Sequence, residues 1–179
     1  MSSYENKSYS AGILPFTIDK KGNILFLLGL DQNGWSDFGG HCEVEDNRDP
    51  RTTAAREFYE ETCGSVMNIC AAQFIFYKNP KPLLVQSKTL NGSTYYSYIL
   101  NIDYRDYRDI YKKIVTYLHH IKIPNRHIEK KEIRWISIDD IERGTISLRG
   151  VFKRTFNEHK EKIKDYILDN SSKSYSSKT

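Results

Sequence analysis

The stretch Arg56-Glu57-Phe58-Tyr59-Glu60-Glu61-Thr62 is the part of this chain that most restricts what it can become. Read as a helix from Arg51 to Thr62, it sets Glu61 about 40° to one side of Glu57 and Glu60 about 60° to the other, at ~100° per residue. The three carboxylates therefore share one face. Ala55, Phe58, Tyr59 and Thr62 take the other, which needs an apolar partner such as a sheet. In water the acidic face repels itself, by roughly a few tenths of a kcal/mol per helical pair. A divalent cation reverses that sign, and hard oxygen ligands suit Mg²⁺ or Mn²⁺. For such a helix in isolation, a solvated acidic face is the plain alternative. Its surroundings argue otherwise: a glycine-rich turn over Gly34–Gly40 lets backbone approach closely, a polar loop runs from Glu43 to Pro50, and Gly64 stops the helix.

The flanking pattern supplies the sheet. Ser8 to Asp19 is rich in β-compatible residues, Lys20-Lys21-Gly22-Asn23 reads as a turn, and Ile24–Leu30 is an apolar run of strand length, together a hairpin. Ala72–Tyr77, Pro82–Ser87, Thr94–Tyr104 and Glu132–Ile138 read as further strands. Tyr104 to His120 has helical spacing, with Tyr107, Ile110, Tyr111, Ile114, Tyr117 and Leu118 on one face. A short helix is expected to start at Asp139-Asp140, and Val151–Leu168 reads as an amphipathic terminal helix. Strands first, a helix, more strands and helices last predict an α/β or α+β layered domain. The chain divides into a flexible N-terminus (1–8), one domain (9–168) and a Ser/Lys-rich disordered tail (169–179).

Composition narrows the function. The 179 residues suit one domain, and 39% hydrophobic with 28% charged residues allows both a core and solubility. No apolar run approaches the roughly 18–20 residues of a membrane span, and the opening MSSYENKSYS lacks a signal-peptide layout. Cys42, Cys63 and Cys70 form no CxxC pair and read as reduced thiols. An intracellular, cytoplasmic setting with no membrane association is expected. The net charge of +4 suits an anionic substrate.

The block from Trp35 through Gly39-Gly40 to Arg56-Glu57-Phe58-Tyr59-Glu60-Glu61-Thr62-Cys63-Gly64 resembles the Nudix box, G-x5-E-x7-R-E-U-x-E-E-x-G-U with U bulky and apolar. Four departures stand out. The loop from Gly40 to Arg56 is two residues longer than the pattern, Asp46 fills the place of the loop glutamate with Glu43 and Glu45 nearby, Cys63 is an extra residue before Gly64, and Phe38 and Phe58 replace a common proline and aliphatic residue. Ser10–Leu30 and Glu132–Ile141 also resemble the opening hairpin and the late strand and helix of that family. The resemblance implies an α/β/α sandwich around a mixed sheet; the segment at about 105–128 resembles no part of the box and reads as a helical basic insertion between two strands. The resemblance implies hydrolysis of a diphosphate joined to another group in a small anionic substrate, such as a nucleoside diphosphate derivative. It further implies Mg²⁺ or Mn²⁺ on Glu57, Glu60 and Glu61, a catalytic role for Glu57 supported by Arg56, and substrate contacts at Trp35, Gly39 and Gly40. A carboxylate on a later loop, Glu129 or Glu132, is the alternative base.

Two other readings stay open. A non-catalytic Nudix-fold binding or regulatory module would bind ligand without turnover. An mRNA-decapping or diphosphoinositol polyphosphate enzyme would use the basic segment Arg105–Arg134, whose lysines and arginines are Arg105, Arg108, Lys112, Lys113, Lys122, Arg126, Lys130, Lys131 and Arg134. Capped RNA is thus allowed as a ligand but not favoured, and oligomeric state is not legible. A polyanion-steering rim predicts a steep fall of kcat/KM with salt, whereas a value unchanged between low and moderate salt marks a merely solvated face.

Overall fold

The computed structural model describes residues 8–78, 81–124 and 127–176. Seven strands form one mixed sheet: β1 (Tyr9–Ile18), β2 (Ile24–Asp31), β3 (Gly34–Ser36), β4 (Phe38–His41), β5 (Leu83–Lys88), β6 (Thr94–Asn101) and β7 (Glu132–Ser137). Five α-helices accompany them: α1 (Pro50–Glu61), α2 (Ile69–Phe74), α3 (Tyr107–His120), α4 (Ile138–Arg143) and α5 (Gly150–Ser176).

β1 organises the sheet. Along one edge it pairs in parallel with β6 from Tyr9↔Thr94 to Phe16↔Asn101. Its other edge is shared: residues 10–13 pair antiparallel with β4, and residues 16–18 pair antiparallel with β2. β2 in turn carries β7 and, at its far end, β3. Side chains alternate across this sheet, as the pleat demands. Ala11, Ile13, Leu27, Phe38, Tyr98, Leu100 and Ile133 face one way, onto Ala54, Ala55 and Phe58 of α1 and onto Tyr107 and Tyr111 of α3. Leu14, Phe16, Phe26, Leu28, Ile99 and Ile136 face the other way, onto α4 and onto Phe152, Phe156, Ile163 and Ile167 of α5. The α/β/α sandwich around a mixed sheet expected from the sequence is the observed architecture.

Several local expectations are corrected. Ala72–Tyr77 is not a strand; it is the end of α2 followed by a 3₁₀ turn over Ile75–Tyr77. Asn68 caps that helix by accepting from the Ala71 amide at 2.8 Å, and Phe74 and Tyr77 point outward instead of alternating into a core. Gly34–Gly40 is not a single turn but two short strands with Asp37 at the corner between them. The last helix does not stop at Leu168; the backbone continues helical to Ser176, since adding residues to a formed helix is far easier than starting one. Residues 1–7 of the expected flexible N-terminus and 177–179 of the tail lie outside the described residues. Among the described residues no helix is long and apolar enough to cross a membrane, and all three cysteines are free.

Phe58 carries the contact between α1 and the sheet. It is fully buried, with its ring 5.3 Å from that of Phe38 in an edge-to-face arrangement. Replacing it by Ala removes that contact and leaves a cavity. We expect Phe58→Ala to lose about 3–5 kcal/mol in urea unfolding, and a loss under about 1 kcal/mol would show that α1 is held by something else.

Candidate active site

α1 begins where the sequence directs. Asp49 accepts from the Arg51 amide at 2.9 Å and Pro50 occupies the first turn, where no backbone donor is needed. The helix ends in two left-handed residues, Cys63 (φ 49°) and Gly64 (φ 66°), so the extra Cys63 is taken up in the C-terminal cap. The loop before α1 solves its own excess in the same way. Asn47 (φ 53°) and Arg48 (φ 58°) form a second left-handed pair immediately after Asp46, which absorbs the two additional residues.

Asp46 therefore still reaches α1. It is 1% exposed and accepts from the Glu43 amide at 2.8 Å, the Thr53 hydroxyl at 2.8 Å, and Arg56 through Nε and Nη2, both at 3.0 Å. Arg56 uses its remaining donors on the His41 carbonyl (2.8 Å), Glu57 Oε1 (2.9 Å) and Glu60 Oε2 (3.0 Å). One guanidinium thus ties the loop, the end of β4 and two helix carboxylates together, and the hydrogen bond to Asp46 with its neighbouring carboxylates raises its pKa further. Of the three loop acids, Asp46 is the one that engages Arg56 closely; Glu43 stands 3.7 Å from it.

The three glutamates share a face of α1 but not an environment. Glu60 is exposed. Glu57 is largely buried against β4: a Cβ on Gly40 would lie 2.5 Å from Glu57 Oε1, so a side chain there would displace the carboxylate. Burial raises the Glu57 pKa to about 7; Arg56 opposes this, and Glu60 and Glu129 add to it. Glu61 is 3% exposed, and both its oxygens are engaged: Oε1 with Lys130 Nζ at 2.9 Å, Oε2 with the Gly39 amide at 2.7 Å. Burial pushes its pKa to about 8 against the pull of Lys130.

Lys130 is the participant that the sequence concealed. It sits in the basic run, yet it is 1% exposed and runs inward beside Gly29 of β2, where a Cβ would lie 2.9 Å from its side-chain carbons. Its ammonium also lies 3.2 Å from Ser36 Oγ and 3.7 Å from Asp31. The α3 helix holds this lysine in place, because the Tyr111 hydroxyl donates to the Lys130 carbonyl at 2.6 Å. An isolated glycine in an otherwise apolar strand was the one sequence sign that something approaches β2.

Among the described residues no three carboxylate, imidazole or thiol groups gather around one point, because Arg56 and Lys130 draw the glutamates to different cationic partners. The donors are nonetheless of one kind, all carboxylate oxygen. Glu57 Oε2 and Glu60 Oε1 receive none of the described hydrogen bonds, and each Glu61 oxygen keeps a further lone pair. Such a set fits a hard cation with retained water. Glu129 is exposed and close enough to act on both Glu57 and Glu61, whereas Glu132 is committed to Arg108 at 2.8 Å.

Gly39 and Gly40 also line a cavity of about 350 Å³ on the α5 side of β4. Trp35 does not line it. The ring is 6% exposed in the apolar cluster beneath α5, with the Arg134 guanidinium 4.6 Å from its centre, so its place is in the core. The basic segment is similarly spoken for in part: Lys130 is buried, Arg134 covers Trp35, Arg108 pairs with Glu132, and Lys113 pairs with Asp109 at 2.7 Å. Arg126 lies outside the described residues. His41 accepts or donates at 3.0 Å to the Ser10 hydroxyl through Nδ1.

No protein-family model matches this chain, and no curated protein matches it in sequence. Solved structures do resemble it. A Nudix hydrolase of M. smegmatis, RenU, aligns with a TM-score of 0.50 at 14% identity, over 86% of this chain and 84% of that one. The complex of the C-terminal domain of mouse MUTYH with human PCNA gives 0.51 at 14% identity, covering 87% and 89%. NrtR of Shewanella oneidensis gives 0.50 at 14% identity, with 87% of this chain spanning 63% of that one. The chain has the Nudix fold.

The Lys130–Glu61 pair is buried on both sides, so breaking it leaves one group uncompensated. Lys130→Met is expected to lose about 3–5 kcal/mol in urea unfolding, and adding Glu61→Gln should return part of that loss. Additive losses in the double variant would contradict the pairing.

Proposed function

We propose that the protein is a metal-dependent Nudix pyrophosphohydrolase that cleaves the diphosphate linkage of a nucleoside diphosphate joined to another group. The observation that carries this reading is the placement of Glu57: a largely buried carboxylate with one uncommitted oxygen, packed on Gly40 and flanked by Glu60 and Glu61. Glu57, Glu60 and Glu61 are the residues that would hold Mg²⁺ or Mn²⁺. When bound, such an ion neutralises charge on the diphosphate and lowers the pKa of a water molecule.

The chain's own residues do the rest. Arg56 fixes Glu57 and Glu60 from the opposite side of their free oxygens, which keeps both carboxylates oriented while substrate exchanges. Glu57, whose Oε1 is held by Arg56 while Oε2 receives none of the described hydrogen bonds, would accept the proton from the attacking water. Glu129, whose charge is felt by both Glu57 and Glu61, is the alternative acceptor. Gly39 and Gly40, without side chains, let the Tyr95 hydroxyl and the Glu57 carboxylate pack directly on β4, beside the adjoining cavity.

The test is product release from ADP-ribose, a dinucleoside polyphosphate, a nucleoside triphosphate, capped RNA and a diphosphoinositol polyphosphate, each with Mg²⁺ or Mn²⁺. Glu57→Gln, with an unchanged circular dichroism spectrum, is expected to lose at least about 100-fold in kcat on whichever compound turns over. Near-normal turnover in that variant would refute the assignment. Metal binding with no turnover of any compound would favour a binding module.

A further inference from the structure

The α3 helix is apolar on two faces, and the domain core uses only one of them. Tyr107 and Tyr111 are buried, and Val115 packs against the same cluster. Ile110, Ile114, Tyr117 and Ile121 form a second row that belongs to neither apolar cluster. At ~100° per residue these four fall within about 60° of one another, so they make one continuous stripe along the helix. Tyr117 is 61% exposed, Ile121 46% and Ile110 37%, and Ile114 is half-buried. Other exposed apolar side chains, such as Val44 and Leu90, stand on separate turns, which is ordinary for a protein surface. A row of four along one helix marks a surface meant to be covered.

The order of residues in the row points to what covers it. The intervals between the four are 4, 3 and 4, the spacing of helices that pack side by side, and they read the same in both directions. A second α3 laid antiparallel across the first therefore sets Ile110 against Ile121 and Ile114 against Tyr117, each pair occurring twice. That self-complementarity is what a two-fold contact requires. Charge follows the same rule. Asp106 and Asp109 stand at the start of α3, and His119 and His120 at its end. Asp109, Lys113 and His120 border the row on its solvent side, so the rotation brings Asp109 alongside His120 of the second copy. It also opposes the two helix dipoles head to tail. A parallel pairing would put Asp106 and Asp109 beside their own counterparts. An anionic lipid surface would meet those same carboxylates with like charge.

We propose that α3 is the pairing face of a two-fold homodimer, in which Ile110, Ile114, Tyr117 and Ile121 pack antiparallel on the same residues of a second copy. The helix has 14 residues, so the contact is small and the association is weak and concentration-dependent. No residue of the acidic face of α1 takes part, and the inference stands apart from the hydrolase reading.

Sedimentation velocity of the full chain, loaded on the order of 5–500 µM, reads this directly. The wild type is expected to move from monomer to dimer across that range. Tyr117→Lys and Ile121→Lys, both at exposed positions and with unchanged circular dichroism spectra, are each expected to weaken dimerisation at least about tenfold. Leu90→Lys, at an exposed apolar residue outside α3, should leave the dimer constant where it is. Asp109→Lys should weaken the dimer about threefold or more, and adding His120→Glu should recover that loss. A monomer at every concentration overturns the proposal, as does a dimer indifferent to both lysines in the row. A dimer that Asp109→Lys weakens and His120→Glu does not restore overturns the antiparallel arrangement. A chain that stays monomeric but binds vesicles of anionic phospholipid would give the row to a lipid surface and overturn it too.

Discussion

A single guanidinium holds the working end of this molecule together. Arg56 contacts the loop carboxylate Asp46, the carbonyl of His41 at the end of β4, and the carboxylates of Glu57 and Glu60. Without it, Asp46, the His41 carbonyl, Glu57 and Glu60, from three separate segments, would face one another with no shared cation. Asp46 is the partner that makes this possible. It is buried and fully hydrogen-bonded, and it fixes the plane of the guanidinium so that the remaining donors fall on the helix carboxylates. The acidic face is thus oriented by a cation that lies behind it.

A second cation, Lys130, works from the other flank and ties the site to the segment between β6 and β7. Its ammonium is paired with Glu61, its stem occupies the space left by Gly29, and its carbonyl is held by Tyr111 of α3. The helix between β6 and β7 is therefore part of the site's support. Tyr107 and Tyr111 anchor it on Trp135 and Ile133 of β7, and the Trp135 indole donates to the Arg105 carbonyl at 2.9 Å. Much of the positive charge in this segment serves neighbours within the fold.

The parts legible in the sequence are those fixed by local spacing. The order Arg-Glu-x-x-Glu-Glu sets the face of α1 before any tertiary contact forms, and the apolar runs of β1 and β2 fix which strands are buried. Asp37, Tyr95 and Lys130 were not legible as partners, because pleating and strand register bring them to the site. Tyr95 reaches Asp37 only because β6 and β4 flank β1 on opposite edges, with Gly12 and Gly39 in register between them. The segment Ala72–Tyr77 misled for the opposite reason: its alternating Phe74 and Phe76 imitate a strand, while the Asn68 cap and the packing on α1 decide for a helix. Trp35 reads as a ligand contact from its place in the box, but the chain that turns back through Ser147 and Arg149 covers it.

Everything functional in this account depends on the acidic face of α1 holding a divalent cation through Glu57 and Glu60. Calorimetric titration of Mn²⁺ into the wild-type protein and into a Glu57→Gln, Glu60→Gln double variant tests that without reference to any substrate. The account predicts saturable binding in the wild type that weakens by at least about tenfold in the variant. Superimposable isotherms would contradict it.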